Sequence, residues 1–114
     1  MSISPELLEE KLNALRATFL RQLAEKMALI EQCWPAVQRA ADAQALHDLY
    51  HAVHSLSGSS GALGFAAVSE AAQRLDGFLR PLVQNATLLS AQHIQHIAPL
   101  LEDLKKAAGA HVQP

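Results

Sequence analysis

A chain of 114 residues with a formal net charge of −2 has room for one hydrophobic core and not two. Half of its residues are apolar, and its nine Lys and Arg residues are spread along the chain rather than gathered into the basic patch that nucleic acid requires. No apolar run approaches the ~20 residues that span a bilayer, and a single cysteine, Cys33, leaves no internal disulfide framework. Thr, Tyr and Trp are scarce, and Ile and Val fall at helical spacing, which points to an all-α domain. The first residues lack the basic-then-apolar order of a secretory leader, and the single cysteine fits an expected cytoplasmic location. There a lone Cys33 serves as a small apolar side chain. The sharper reading, a reactive thiol, has no base beside it in sequence.

The first helix opens at Ser4-Pro5-Glu6: a capping serine, a proline suited to the first helical position, and Glu6, Glu9 and Glu10 at the positive end of the helix dipole. Leu8, Leu12, Leu15, Phe19, Leu23, Met27 and Ile30 then recur in steps of three and four, as a core stripe does. Pro35 is expected to end or kink this helix after Trp34, leaving residues 36–41 as a connection or a loose extra turn. Asp42 caps a second helix whose stripe is Leu46, Leu49, Val53, Leu56, Ser60 and Leu63, with Gly64 as its stop. The third carries Val68, Ala71 or Ala72, Leu75, Phe78 and Leu82, and Pro81 weakens its last turn. Residues 84–87 read as a turn. The fourth runs from about Ser90 to Ala108 with Ile94, Ile97, Leu101, Leu104 and Ala108 inward. Pro99 within it costs about 3 kcal/mol in a straight helix, so a bend or a later start is expected. Four amphipathic segments on short connections make an antiparallel four-helix bundle, one domain over residues 1–114 with a frayed tail over 108–114.

The stretch His54-Ser55-Leu56-Ser57-Gly58-Ser59-Ser60-Gly61-Ala62-Leu63-Gly64 holds the candidate site. By propensity it is a loop, since each glycine costs a helix roughly 1 kcal/mol relative to alanine. By register it is helix, because Leu56, Ser60 and Leu63 continue the stripe without a phase jump. At about 100° per residue, His54 lies roughly 140° from Leu49, Gly58 opposite it, and Gly61 roughly 120° round, beside His54. Helical side chains lean toward the N-terminus, so a side chain at position 58 would lean over His54. Gly58, Gly61 and Ser57 thus keep the surface around the imidazole low. Glycines serving close helix packing are the other explanation, but those belong on the buried stripe.

This stretch resembles the signature of histidine-containing phosphotransfer (HPt) domains, H-x-L-K-G-[SA]-[SA]-x-x-L-G, in His54, Leu56, Gly58, Ser59, Ser60, Leu63 and Gly64. The resemblance extends to most of the chain. It implies a four-helix bundle with His54 exposed on the second helix and phosphorylated on a ring nitrogen. It also implies receiver domains of a hybrid histidine kinase or a response regulator as partners, with no nucleic acid or membrane, and a monomer. The family's lysine three residues after the histidine is here Ser57, and Arg74 on the next helix is a candidate replacement cation. The family's Glu or Gln 22 residues after the histidine is here Asp76, placed to bond the other ring nitrogen. Tyr50 is a candidate apolar docking contact.

A neutral imidazole is a competent nucleophile. The chain has no phosphate-binding Gly-rich loop, no Walker-type lysine and no acidic cluster for Mg²⁺, so no autokinase activity is expected and no cofactor belongs to this chain. The Mg²⁺ is expected on the receiver domain. Such a protein is a carrier, not an enzyme in the usual sense. Two rival readings remain: a docking bundle without phosphotransfer, for which Ser57 is the hint, and weak metal binding by His47/His51 or His93/His96.

Overall fold

The computed structural model describes residues 3–40 and 42–111, and every regular element among them is a helix. These are α1 (Pro5–Ala40), α2 (Ala43–Ala62), α3 (Ala66–Gln84) and α4 (Ala91–Gly109). Among the described residues no helix is long and apolar enough to cross a membrane. Short connections reverse the chain between successive helices, and α2 packs between α1 and α3 while α4 closes on α3 and α1. The buried stripes meet in one core built around Phe19, Leu23, Ile30, Leu49, Leu56, Leu75, Leu79, Ile97, Leu101 and Leu104.

Local chemistry sets the helix ends. Ser4 Oγ accepts from the Leu7 N–H at 3.1 Å, and Asp42 Oδ1 accepts from the Gln44 and Ala45 N–H groups. Ser90 Oγ accepts from the His93 N–H, and His93 Nδ1 accepts in return from the Ser90 N–H at 3.0 Å. α2 stops where Gly64 takes φ +85°, a conformation that suits glycine. The turn after α3 places Ala86 at φ 47°.

The prolines do not act as their reputation suggests. α1 continues through Pro35 to Ala40, α3 through Pro81 to Gln84, and α4 runs through Pro99 from its start just after Ser90. All three prolines are exposed, so each carbonyl deprived of a donor faces water. Buried neighbours on both sides (Cys33 and Val37, Leu79 and Leu82, Ile97 and Leu101) hold the helix together across the gap. Residues 36–41 are therefore not a connection as far as Ala40. At the other end, Ala108 is buried, Gly109 is helical, and the His111 ring meets Phe65 edge-on at 5.1 Å. Residues 112–114 of the expected tail lie outside the described residues.

A second difference concerns α1. Its 36 residues extend about 54 Å at 1.5 Å each, the full 54 Å length of the molecule, whereas α2, α3 and α4 have 19 or 20 residues. The first turns of α1 thus overhang the bundle. Leu8 and Leu15 are exposed and Leu12 half-buried, and the core stripe begins only at Phe19, which stacks on Phe65 at 4.8 Å.

Cys33 is buried in the core. Burial, then the nearby carboxylates of Asp48 and Asp42, push its thiol above the ordinary 9.0. Since the folded value lies above the unfolded one, the unfolded chain loses this proton first. The contribution to stability is complete below pH 9 and is lost as pH rises beyond it. A thiol reagent at pH 8 is therefore expected to label Cys33 far more slowly in the native protein than in denaturant, and equal rates would contradict this placement.

Candidate functional site

His54 sits two turns before the end of α2, on the face turned away from Leu49, Val53 and Leu56, all of which are fully buried. Its side chain is 55% exposed. α2 remains helical through Gly58 and Gly61, so the packing of its apolar stripe outweighs the roughly 1 kcal/mol that each glycine costs.

Across the helix interface, α3 presents Asp76. Its side chain is only 8% exposed, and Oδ1 lies 3.0 Å from His54 Nδ1. The shorter aspartate reaches the ring where α3 packs on α2, Ala72, Leu75 and Leu79 being fully buried within a turn of it. An ionised carboxylate only accepts hydrogen bonds, so the proton of this contact belongs to the imidazole: Nδ1–H donates to Asp76 Oδ1. Nε2 is left with its lone pair.

A charge as buried as that of Asp76 needs a counter-charge. Arg80, one turn further along α3, provides it: Nη2 donates to Asp76 Oδ2 at 2.6 Å. The two carboxylate oxygens are thus divided, one for the imidazole and one for the guanidinium. The Tyr50 hydroxyl, then Asp76, raise the Arg80 guanidinium above its ordinary value, so it stays charged. The Tyr50 ring, half-buried at the edge of the core, stacks on the imidazole with centroids 5.7 Å apart and planes at 26°. Tyr50 and His54 are four apart on α2, and Asp76 and Arg80 are four apart on α3. Two facing turns therefore assemble the whole cluster.

Arg80 was not among the candidates drawn from sequence, although its spacing from Asp76 was a usable signal. Arg74 does not join the cluster. It lies two residues, roughly 200°, from Asp76 around α3 and faces Glu70 at 3.9 Å on the exposed surface. Ser57 stands where the family lysine would be, and its hydroxyl donates back to the His54 carbonyl at 2.9 Å. It therefore offers the imidazole no charge.

The two glycines have different neighbours. A Cβ built at Gly58 meets nothing within 4 Å, in keeping with an open surface beside His54. A Cβ at Gly61 would lie 3.2 Å from Ser69 Oγ on α3. Gly61 is thus a close-packing position between α2 and α3 as well as a bare patch, which corrects the reading of both glycines as serving access alone.

His54 lines neither of two hollows elsewhere in the bundle. One of about 350 Å³ lies near the start of α2, between Leu46, Leu82, Val83 and Leu88. The other is a shallow groove beside His47 and His51. An imidazole on an open helix face suits a reactive group carried on another macromolecule. Among the described residues no group of three or more His, Cys, Asp or Glu could hold a metal ion together.

Among protein-family models, the one described as the Hpt domain matches residues 14–108. The match takes in all of α2 and α3 and leaves out the first turns of α1. Comparison with curated proteins and with solved structures finds no match.

Proposed function

The chain belongs to the Hpt domain family, whose members carry phosphoryl groups in phosphorelays, and on that premise we propose that His54 is the carrier residue. In this reading His54 takes the phosphoryl group from the aspartate of one receiver domain and passes it to another. The observation that supports it most directly is the 3.0 Å contact between His54 Nδ1 and a buried Asp76 on a ring that is more than half exposed.

The chemistry follows from that contact. The Nε2 lone pair attacks phosphorus of the receiver's acyl phosphate. The N–P bond forms, the O–P bond breaks, and the electron pair leaves with the aspartate carboxylate. Nδ1 keeps its proton throughout, so the ring becomes cationic as it is phosphorylated. Asp76, fixed before the reaction begins, faces that developing charge. A cationic ring is also a good leaving group, which keeps the P–N bond ready for onward transfer. Arg80 holds the Asp76 carboxylate in place, and it is the one cation within the cluster. Mg²⁺ and the remaining groups that stabilise phosphoryl transfer would come from the receiver domain.

Incubation with a phosphorylated receiver domain tests this. The expected result is phosphate on the chain that is acid-labile and alkali-stable, and its absence in His54→Gln, which keeps the fold because position 54 is exposed. Stable binding of the receiver without transfer would replace the carrier with a docking bundle.

A further inference from the structure

We propose that His47 and His51 form a chelating site for a borderline divalent transition ion such as Cu²⁺, Ni²⁺ or Zn²⁺. Both are exposed on α2, four residues apart, and their Nε2 atoms face each other at 3.1 Å. Such an approach of two imidazoles requires one of the nitrogens to carry a proton that the other accepts. A metal ion displaces that proton and sits to one side of the N···N line, the two rings turning so that both Nε2 lone pairs meet it while both Nδ1 atoms stay protonated. At about 2.1 Å from each nitrogen the ion would see them at an angle of roughly 95°, close to a cis pair in octahedral or square-planar geometry. Imidazole nitrogen suits these ions, and adjacent turns of one helix keep the two ligands within reach of a single ion before binding.

The surroundings permit it. The pair borders the shallow groove that also contains Asp48 and Lys26, with Leu29 as its apolar wall. Asp48 Oδ1 accepts from the Gln44 side-chain amide at 2.9 Å, and its carboxylate makes the local potential more favourable to a cation. Lys26 opposes a cation, which favours an ion that binds imidazole strongly over Mg²⁺ or Ca²⁺. Water completes the coordination sphere. The second histidine pair on the molecule lacks these features. His93 Nδ1 is occupied by the Ser90 N–H, and the His96 ring is stacked on Phe78 at 4.0 Å.

The site lies one turn before His54 but does not depend on phosphotransfer, and the test separates the two. Calorimetric titration of the full chain with NiCl₂ in a non-coordinating buffer should show one saturable ion, equally in the wild type and in His54→Gln. His47→Gln and His51→Gln should each weaken binding on the order of tenfold or more, with unchanged circular dichroism. With Zn²⁺, the Nε2 resonances of His47 and His51 should shift together while those of His93 and His96 do not. No saturable binding, binding indifferent to both substitutions, or binding lost in His54→Gln would each overturn the proposal.

Discussion

Asp76→Asn is expected to slow phosphoryl transfer onto His54 by roughly 10²-fold or more while leaving the bundle folded. The substitution is nearly isosteric, so packing between α2 and α3 is retained. What changes is the direction of the hydrogen bonds. Arg80 only donates, and its 2.6 Å contact claims the one oxygen of the new amide. The amide NH₂ then turns to His54 Nδ1, which must accept, and the ring proton moves to Nε2. The nucleophilic lone pair is lost and so is the negative charge that faces the phosphorylated ring. A merely structural role for Asp76 would leave the tautomer alone. Nitrogen NMR of the His54 ring distinguishes the two: Nε2 should be bare in the wild type and protonated in Asp76→Asn. Unchanged transfer, or an unchanged tautomer, would remove Asp76 from the site.

Gly58→Leu should move stability and function in opposite directions. Nothing lies within 4 Å of a Cβ at this position, so the new side chain has room. Leucine also gains about 0.5–1 kcal/mol in helix propensity over glycine. The thermal midpoint is expected to stay or rise. Residues four apart are neighbours on a helix, however, and helical side chains lean toward the N-terminus, so the leucine covers the approach to His54. Transfer from a phosphorylated receiver should fall at least about tenfold, since a 1.4 kcal/mol penalty on docking suffices. A stabilised protein that still transfers phosphate at the original rate would show that Gly58 is not there for access. Gly61 offers no such clean experiment, because its nearest neighbour, Ser69 Oγ, would have to yield.

Much of the site was legible in the order of residues. Asp42 caps α2 because its side chain bonds N–H groups two and three positions away. Gly64 stops α2 because the chain needs φ +85° there. That α2 continues through Gly58 and Gly61 followed from the unbroken stripe of Leu46, Leu49, Val53, Leu56 and Ser60, all of them buried. The exposure of His54 followed from the same projection, as its angle from that stripe is a property of one helix.

Other features required neighbours that the sequence does not place side by side. Leu8 and Leu15 keep the spacing of a core residue yet face outward, because the other helices are too short to cover that end of α1. Pro35, Pro81 and Pro99 are harmless because each falls on a wet face, which depends on how its helix is rotated against the rest. The cation of the site is Arg80 and not Arg74, since the rotation of α3 about its own axis brings positions 76 and 80 against α2 and turns 74 away. Periodicity and capping act within a turn or two, so the order of residues suffices for them. The partner of a side chain depends on the relative length, rotation and spacing of helices far apart along the chain, and these arise only once the core has packed.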